Sequence, residues 1–314
     1  MRILILGGTI FLGRHTAVEA LARGHELTLY TRGLHGTDLF PEAEHVRGDR
    51  ADLTPLQGRA WDAIVDTSGY ESAHVAASAR LDAGHYVFVS SCNVYPEWPD
   101  VPVDEDSPTW LQGDDYGQQK AASERAAEAA RPGRFATVRA GLIVGPHDNV
   151  FRLPWWVERI ARGGDVPAPT SCGLQLIDAR DLASFLLDLA EGAVAGAFNG
   201  TAPIGQTTFA EVFQLARAAT GSDARPSWIE DAALERAGVE PWTELPLWLP
   251  ARYEGTWRVG TDRARAAGLR TRPVQETIAD VAAWLRERPE LPEWRAEHRP
   301  KPMSAAREAE LLAL

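Results

Sequence analysis

The stretch Arg2-Ile3-Leu4-Ile5-Leu6-Gly7-Gly8-Thr9-Ile10-Phe11-Leu12-Gly13 decides the fold. Ile3–Leu6 is a run of four aliphatic residues that reads as a strand, and the glycines after it let the chain turn tightly into a helix over Phe11–Arg23. The alternation continues outward from there. Glu26–Tyr30, His45–Arg47, Ala63–Val65, Tyr86–Ser90 and Phe135–Arg139 read as further strands. Helices are expected over Ser72–Ala83 and Tyr116–Ala130, the second ended by Arg131-Pro132-Gly133. Six parallel strands in βαβ order predict an α/β chain with a doubly wound, Rossmann-type sheet over residues 1–145. Past Gly145 proline and tryptophan become frequent. The helices Leu182–Glu191, Phe209–Thr220 and Val274–Arg286 then predict a smaller, mixed C-terminal cap over 146–314, with part of 174–200 able to rejoin the sheet. Pro289–Pro302 reads as irregular, and Ala305–Leu314 as a short helix beginning after Ser304.

The 314 residues carry 44 acidic and 32 basic side chains, a formal net charge of −12. An acidic chain without a Lys/Arg run argues against nucleic acid or an anionic membrane as partner, so an anionic ligand would be gripped by local arginines and backbone amides. The apolar stretch Ile3–Leu6 is far shorter than a signal-peptide core, no segment approaches the length of a membrane span, and a soluble, cytoplasmic protein is expected. Cys92 and Cys172 sit in no CxxC or Cys/His cluster; both read as small buried side chains, and no metal is expected.

A glycine-rich turn at the first strand–helix junction is where a dinucleotide's pyrophosphate meets a helix N-terminus, which marks Gly7, Gly8, Thr9, Ile10, Phe11, Leu12 and Gly13 as cofactor contacts. Ile10 stands where such loops usually have glycine, so the middle of this loop must be shaped differently. The second strand ends in Thr31-Arg32 rather than in a carboxylate. A carboxylate there would repel a ribose 2′-phosphate, so NADP is preferred over NAD; otherwise Arg32 is a solvated loop residue. Asp49 and Arg50 follow the third strand, Asp49 placed to accept from the adenine amino group and Arg50 to cover the ring. Asp66-Thr67-Ser68-Gly69 follow the fourth and should approach the phosphates or the nicotinamide ribose, with Asp66 alternatively capping its own turn.

Of the 32 basic residues only Lys120 and Lys301 are lysines. Lys120 lies four residues after Tyr116 and hence on the same helix face. A phenol is protonated at neutral pH, and a cation beside it lowers its pKa, so the pair is a candidate proton relay. A compact ammonium can also reach ribose hydroxyls while staying beside the phenol. The fifth strand ends in Ser90-Ser91-Cys92-Asn93, at the sheet edge where substrate chemistry sits in open parallel sheets, and Ser91 could orient a reacting carbonyl.

These motifs, together with Arg139-Ala140-Gly141-Leu142-Ile143-Val144-Gly145-Pro146, resemble the extended short-chain dehydrogenases/reductases of the NAD-dependent epimerase/dehydratase family. The loop Gly7-Gly8-Thr9-Ile10-Phe11-Leu12-Gly13 is similar to an atypical branch that includes chloroplast stem-loop RNA-binding proteins. The resemblance implies an NAD(P)-dependent reductase or sugar (nucleotide) epimerase with Ser91, Tyr116 and Lys120 catalytic and Ser90 and Ala140 also against the cofactor. A small carbonyl or sugar would be the substrate, and a homodimer would form through helices including Tyr116–Ala130. The alternative is a non-catalytic NADP-sensing or RNA-binding protein on the same fold.

Departures from the family pattern narrow this. The dehydratases have Asp and Glu after the catalytic hydroxyl, whereas this chain has Cys92 and Asn93, which disfavours elimination. Where many sugar-nucleotide enzymes place an arginine on the diphosphate, this chain reads Leu174-Gln175-Leu176-Ile177-Asp178, leaving Arg152 or Arg180 to substitute. His147, in Gly145-Pro146-His147-Asp148-Asn149, resembles a catalytic histidine of GDP-fucose synthases, though the partner cysteine there would align with Asn93; a polar loop histidine near the cofactor is the other reading. Trp155, Trp156, Trp242, Trp248 and Trp257 either line a substrate pocket or pack the cap, with Trp248 the first candidate for a substrate contact.

Overall fold

Ile3 and Ile5 point to one face of the first strand and Leu4 and Leu6 to the other, and all four are almost completely buried, as a strand sandwiched between helical layers requires. In the computed structural model all residues are described except 99–101, 171–172, 288–289, 292–295 and 302. The expectation for Cys172 therefore lies outside the described residues, as do both ends of the irregular stretch Pro289–Pro302.

The sheet side consists of β1 (Arg2–Leu6), α1 (Phe11–Ala22), β2 (Glu26–Thr31), β3 (Glu44–Arg47), β4 (Ala60–Asp66), α2 (Ser72–Ala79), β5 (Asp82–Ser91), α3 (Tyr116–Ala130) and β6 (Phe135–Ala140). Then come β7 (Leu142–Val144), α4 (Arg152–Ala161), β8 (Asp165–Pro169), β9 (Gly173–Leu174), β10 (Leu176–Asp178), α5 (Ala179–Glu191), β11 (Gly196–Gly200) and β12 (Thr207–Thr208). The chain closes with α6 (Phe209–Thr220), β13 (Arg225–Ile229), α7 (Asp231–Arg236), α8 (Asp262–Ala266), α9 (Val274–Arg286) and α10 (Ala305–Leu312).

Seven parallel strands form the central sheet in the order β11-β6-β5-β4-β1-β2-β3, one more than the six read from the sequence. The extra strand, Gly196-Ala197-Phe198-Asn199-Gly200, has no β-branched residue; only pairing with β6 makes it a strand. The helix read over Ser72–Ala83 stops at Ala79, and β5 begins at Asp82, ahead of the expected Tyr86. Ala83 pairs with Trp61 and His85 with Ala63, so sheet pairing overrides the helical preference of alanine here. The helix expected in the cap at Leu182–Glu191 is α5, which lies beside α1 on one face of the sheet, its Leu182, Phe185, Leu186 and Leu189 buried with Ile3 and Ile5. On the other face α2 and α3 pack together over Leu4, Leu6, Ile64 and Phe88.

The order reverses between β1 and β4, where loops leaving the strands' C-terminal ends diverge and open a crevice. Over it sits the cap, whose core joins α4, α6 and α9 around Trp156, Phe209, Phe213 and Trp248. No helix among the described residues is long and apolar enough to cross a membrane.

Candidate functional site

A cleft of about 1120 Å³ runs along the C-terminal edge of the sheet and under the cap. Its floor is the first loop. Gly8 has φ +109, and a Cβ on Gly13 would stand 2.6 Å from Gly8 N, so glycine is required where α1 crosses the loop. Ile10 is extended and the next residue, Phe11, takes the left-handed turn with φ +39; the position that usually holds glycine is thus passed by moving the strained residue one place along. Thr67 and Ser68, at the end of β4, line the opposite side, each donating its hydroxyl to the Leu6 carbonyl. These glycines let the loop turn tightly and pack at the N-terminus of α1, an arrangement that fits a pyrophosphate.

At one end of the cleft stand Thr31, Arg32 and Asp49, with Arg32 exposed. Asp49 turns its carboxylate onto its own loop, accepting from Ala51 N. Arg50 also lines the cleft, but its guanidinium does not cover a ring there. It grips both oxygens of Asp66 and donates to Ser68 Oγ and Ser78 Oγ, while Tyr86 donates its hydroxyl to the same carboxylate. Asp66 is fully buried and must have a counter-charge, so the pair is structural and Asp66 is not a cofactor contact. Arg50 Nε and Ser90 Oγ are buried against the cleft with no partner in the protein, polar atoms that a ligand or water would satisfy.

Deeper in, Tyr116 begins α3 with its ring partly exposed to the cleft, and Ser91 ends β5 with its Oγ accepting from Asn93 N at 3.2 Å. Asn93 is exposed to the cleft. α3 can come this close because residue 117 is glycine: any Cβ there would overlap the Asn93 carbonyl oxygen. Lys120, one turn on, is 3% exposed and donates from Nζ to Gly69 O at 2.6 Å and Val89 O at 2.8 Å. Its ammonium lies 4.8 Å from the ring centres of Tyr70 and Phe88 and 6.0 Å from that of Tyr116. Gly69 thus serves the site through its carbonyl rather than by lining the cleft. Ala140, paired with Ser91 across the sheet, completes the wall.

The remaining sequence candidates divide. Cys92 reaches the wall, but burial pushes its thiol up to about 12 and its Sγ donates to Arg139 O, so it is a packed thiol. Arg152 lines the cap side with its guanidinium 5.2 Å over Trp242. His147 does not line the cleft: it sits half-buried at φ +65 with its ring 5.5 Å from Trp284 and 5.8 Å from His15, in an aromatic cluster. Trp248 is 1% exposed, its indole N–H bound to Asp231, and it packs the cap as Trp155 and Trp156 do. Among the described residues, no group of three or more His, Cys, Asp or Glu side chains is placed to hold a metal.

The NAD-dependent epimerase/dehydratase family matches residues 59–201. The epimerase family protein SDR39U1 of Bos taurus is 31% identical over 256 residues, 73% of this chain and 83% of that protein. The chain belongs to the NAD-dependent epimerase/dehydratase family. A further relative, chloroplast stem-loop binding protein of 41 kDa b from Arabidopsis thaliana, is 27% identical over 212 residues, 60% of this chain; the chain spans only 54% of that longer protein. The enzyme WbmH of Bordetella bronchiseptica, solved in complex with NAD+, has the same fold: TM-score 0.69 at 22% identity, over 91% of this chain and 98% of that one. In this member of the epimerase/dehydratase family several cleft residues escape sequence reasoning: Tyr70, Trp98, Gln175 and Thr201. Tyr70 directly follows the Asp66–Gly69 segment, a position that carried the signal. The other three lie far apart in sequence and only the fold gathers them.

Proposed function

We propose that this chain is an NADP(H)-preferring oxidoreductase acting on a carbonyl or carbinol carbon. The observation that carries the reading is that Ser91, from the end of β5, and Tyr116 and Lys120, from α3, line one cleft with the glycine loop Gly7–Gly13. A nicotinamide cofactor, when bound, supplies or accepts the hydride. The Tyr116 phenol gives a proton to the carbonyl oxygen in reduction and takes it from the carbinol in oxidation. Lys120 favours the phenolate and holds the ribose hydroxyls, and Ser91 orients the reacting oxygen. Reduction, and oxidation followed by re-reduction at the same carbon, which is epimerisation, use the same three residues; cofactor retained through purification identifies the second.

NADP preference is supported by the exposed Arg32 beside Thr31 at the adenosine end. Fluorescence titration with NADPH and NADH tests it. NADPH should bind more tightly, and Arg32→Ala should weaken NADPH by about 10- to 100-fold, the value of one charged hydrogen bond, while sparing NADH. Tighter NADH binding, unchanged in the variant, refutes the preference, and a chain that binds neither refutes the function. A second reading, an RNA-binding protein, is favoured by the name of the chloroplast relative and opposed by the net charge of −12; salt-dependent RNA binding at physiological ionic strength would establish it.

A further inference from the structure

We infer that the cap half of the cleft takes an uncharged, flat, largely apolar carbonyl compound held against tryptophan faces, and not a sugar carried on a nucleoside diphosphate. The inference rests on the oxidoreductase reading above and names its substrate class.

The cap wall is aromatic. Trp242 and Trp257 line it with ring centres 5.8 Å apart and planes inclined at 50°, Trp257 nearly buried behind Trp242, and Trp98 and the exposed Tyr253 line the same cleft. Such an aromatic wall offers apolar contact to a ring at small entropic cost, but nothing to a phosphate.

A diphosphate needs cations, and those near this wall are already committed. Arg152 lies over Trp242, and beside it Asp148, 2% exposed, supplies an opposing charge while accepting from Val150 N and Phe151 N. Arg180 is bound by Asp178 and Asp280 and does not line the cleft. Gln175 is equally occupied: its Nε2 donates to Ala202 O and Val259 O, and its Oε1 accepts from Val259 N. His298 lines the cleft beside Glu297 and is paired with it. Bringing two phosphate charges beside Asp148 would cost desolvation and repulsion that one compensated arginine does not offset. A neutral polar atom at the sheet edge below this wall is different: Thr201 Oγ1, just past β11, is buried, lines the cleft and has no protein partner. A neutral ligand oxygen, or a water bridging to it, satisfies that hydroxyl.

Equilibrium dialysis of the full chain carrying Tyr116→Phe, with and without NADP+, tests this with 2-acetonaphthone and UDP-glucose as probes. The ketone should bind about tenfold or more tightly than UDP-glucose. Trp242→Leu should weaken the ketone by about fivefold, the scale of one aromatic contact, without changing NADP+ affinity. UDP-glucose binding as tightly as the ketone overturns the inference, and this comparison needs no cap variant to fold. Ketone affinity unchanged in both Trp242→Leu and Trp257→Leu overturns it as well. Because binding is read in a chain lacking the Tyr116 hydroxyl, loss or persistence of turnover bears on the oxidoreductase reading alone.

Discussion

Gly117→Ala is the substitution whose outcome the structure constrains most closely. In an unencumbered helix it would stabilise by about 1 kcal/mol through helix propensity. Here the added carbon overlaps the carbonyl oxygen of Asn93 and stands 2.8 Å from its carbon. Neither atom belongs to a flexible side chain: the Cys92–Val94 turn is tied to Ser91 Oγ through Asn93 N, and α3 is tied to the sheet by Lys120. Relief requires α3 to retreat by an amount on the order of 1 Å, and overpacking of this kind costs about 1–3 kcal/mol. The net expectation is a modest loss of stability, a Tm lower by a few degrees. The effect on function should be larger, because Tyr116 is the adjacent residue and a misplacement of about 1 Å costs on the order of 100-fold in rate. Differential scanning fluorimetry, NADPH titration and carbonyl turnover on the same preparation separate the two effects. Gly173→Ala, where nothing lies within 4 Å of the added carbon, is the control. A Gly117→Ala protein with unchanged Tm and unchanged turnover would refute the close packing of α3 on the Asn93 turn and its role in placing Tyr116.

Two further outcomes follow from buried charge. Arg50→Met leaves the Asp66 carboxylate buried without its cation and should destabilise by about 3–5 kcal/mol, with Arg50→Met/Asp66→Asn recovering most of it in urea unfolding; equal stability of single variant and wild type contradicts the buried pair. His147 is pushed down to about 4, first by burial and then by the charges of Arg14 and His15. Its contribution to stability is therefore whole above the ordinary histidine value of 6.5 and is lost as pH falls toward about 4. His147→Asn, which tolerates the left-handed backbone there, should flatten the dependence of Tm on pH across that window, and an unchanged slope would show that this ring is solvated.

Much of the sheet was legible because its strands announce themselves: Ile3–Leu6 and the apolar run that closes β5 are aliphatic and aromatic segments between glycines and helices. β11 was not, because Gly196–Gly200 has the composition of a turn and becomes a strand only through β6. In the site, Tyr116 and Lys120 could be read together since helical spacing fixes their relation. The role of Arg50 could not, because its partner Asp66 lies sixteen residues away and the requirement for a counter-charge appears only once that carboxylate is buried. Tryptophans posed the same problem in the cap. Trp242 and Trp248 lie in one short proline-containing stretch, yet Trp248 fills the cap core and Trp242 lines the cleft.

Tyr116 is proposed to move a proton in this cleft. The most direct test of that role is kcat/KM for Tyr116→Phe against wild type on any carbonyl compound the wild type reduces with NADPH, with NADPH affinity measured alongside. A fall of about 100- to 10,000-fold is expected, with cofactor affinity nearly unchanged. Full turnover by the phenylalanine variant would contradict it.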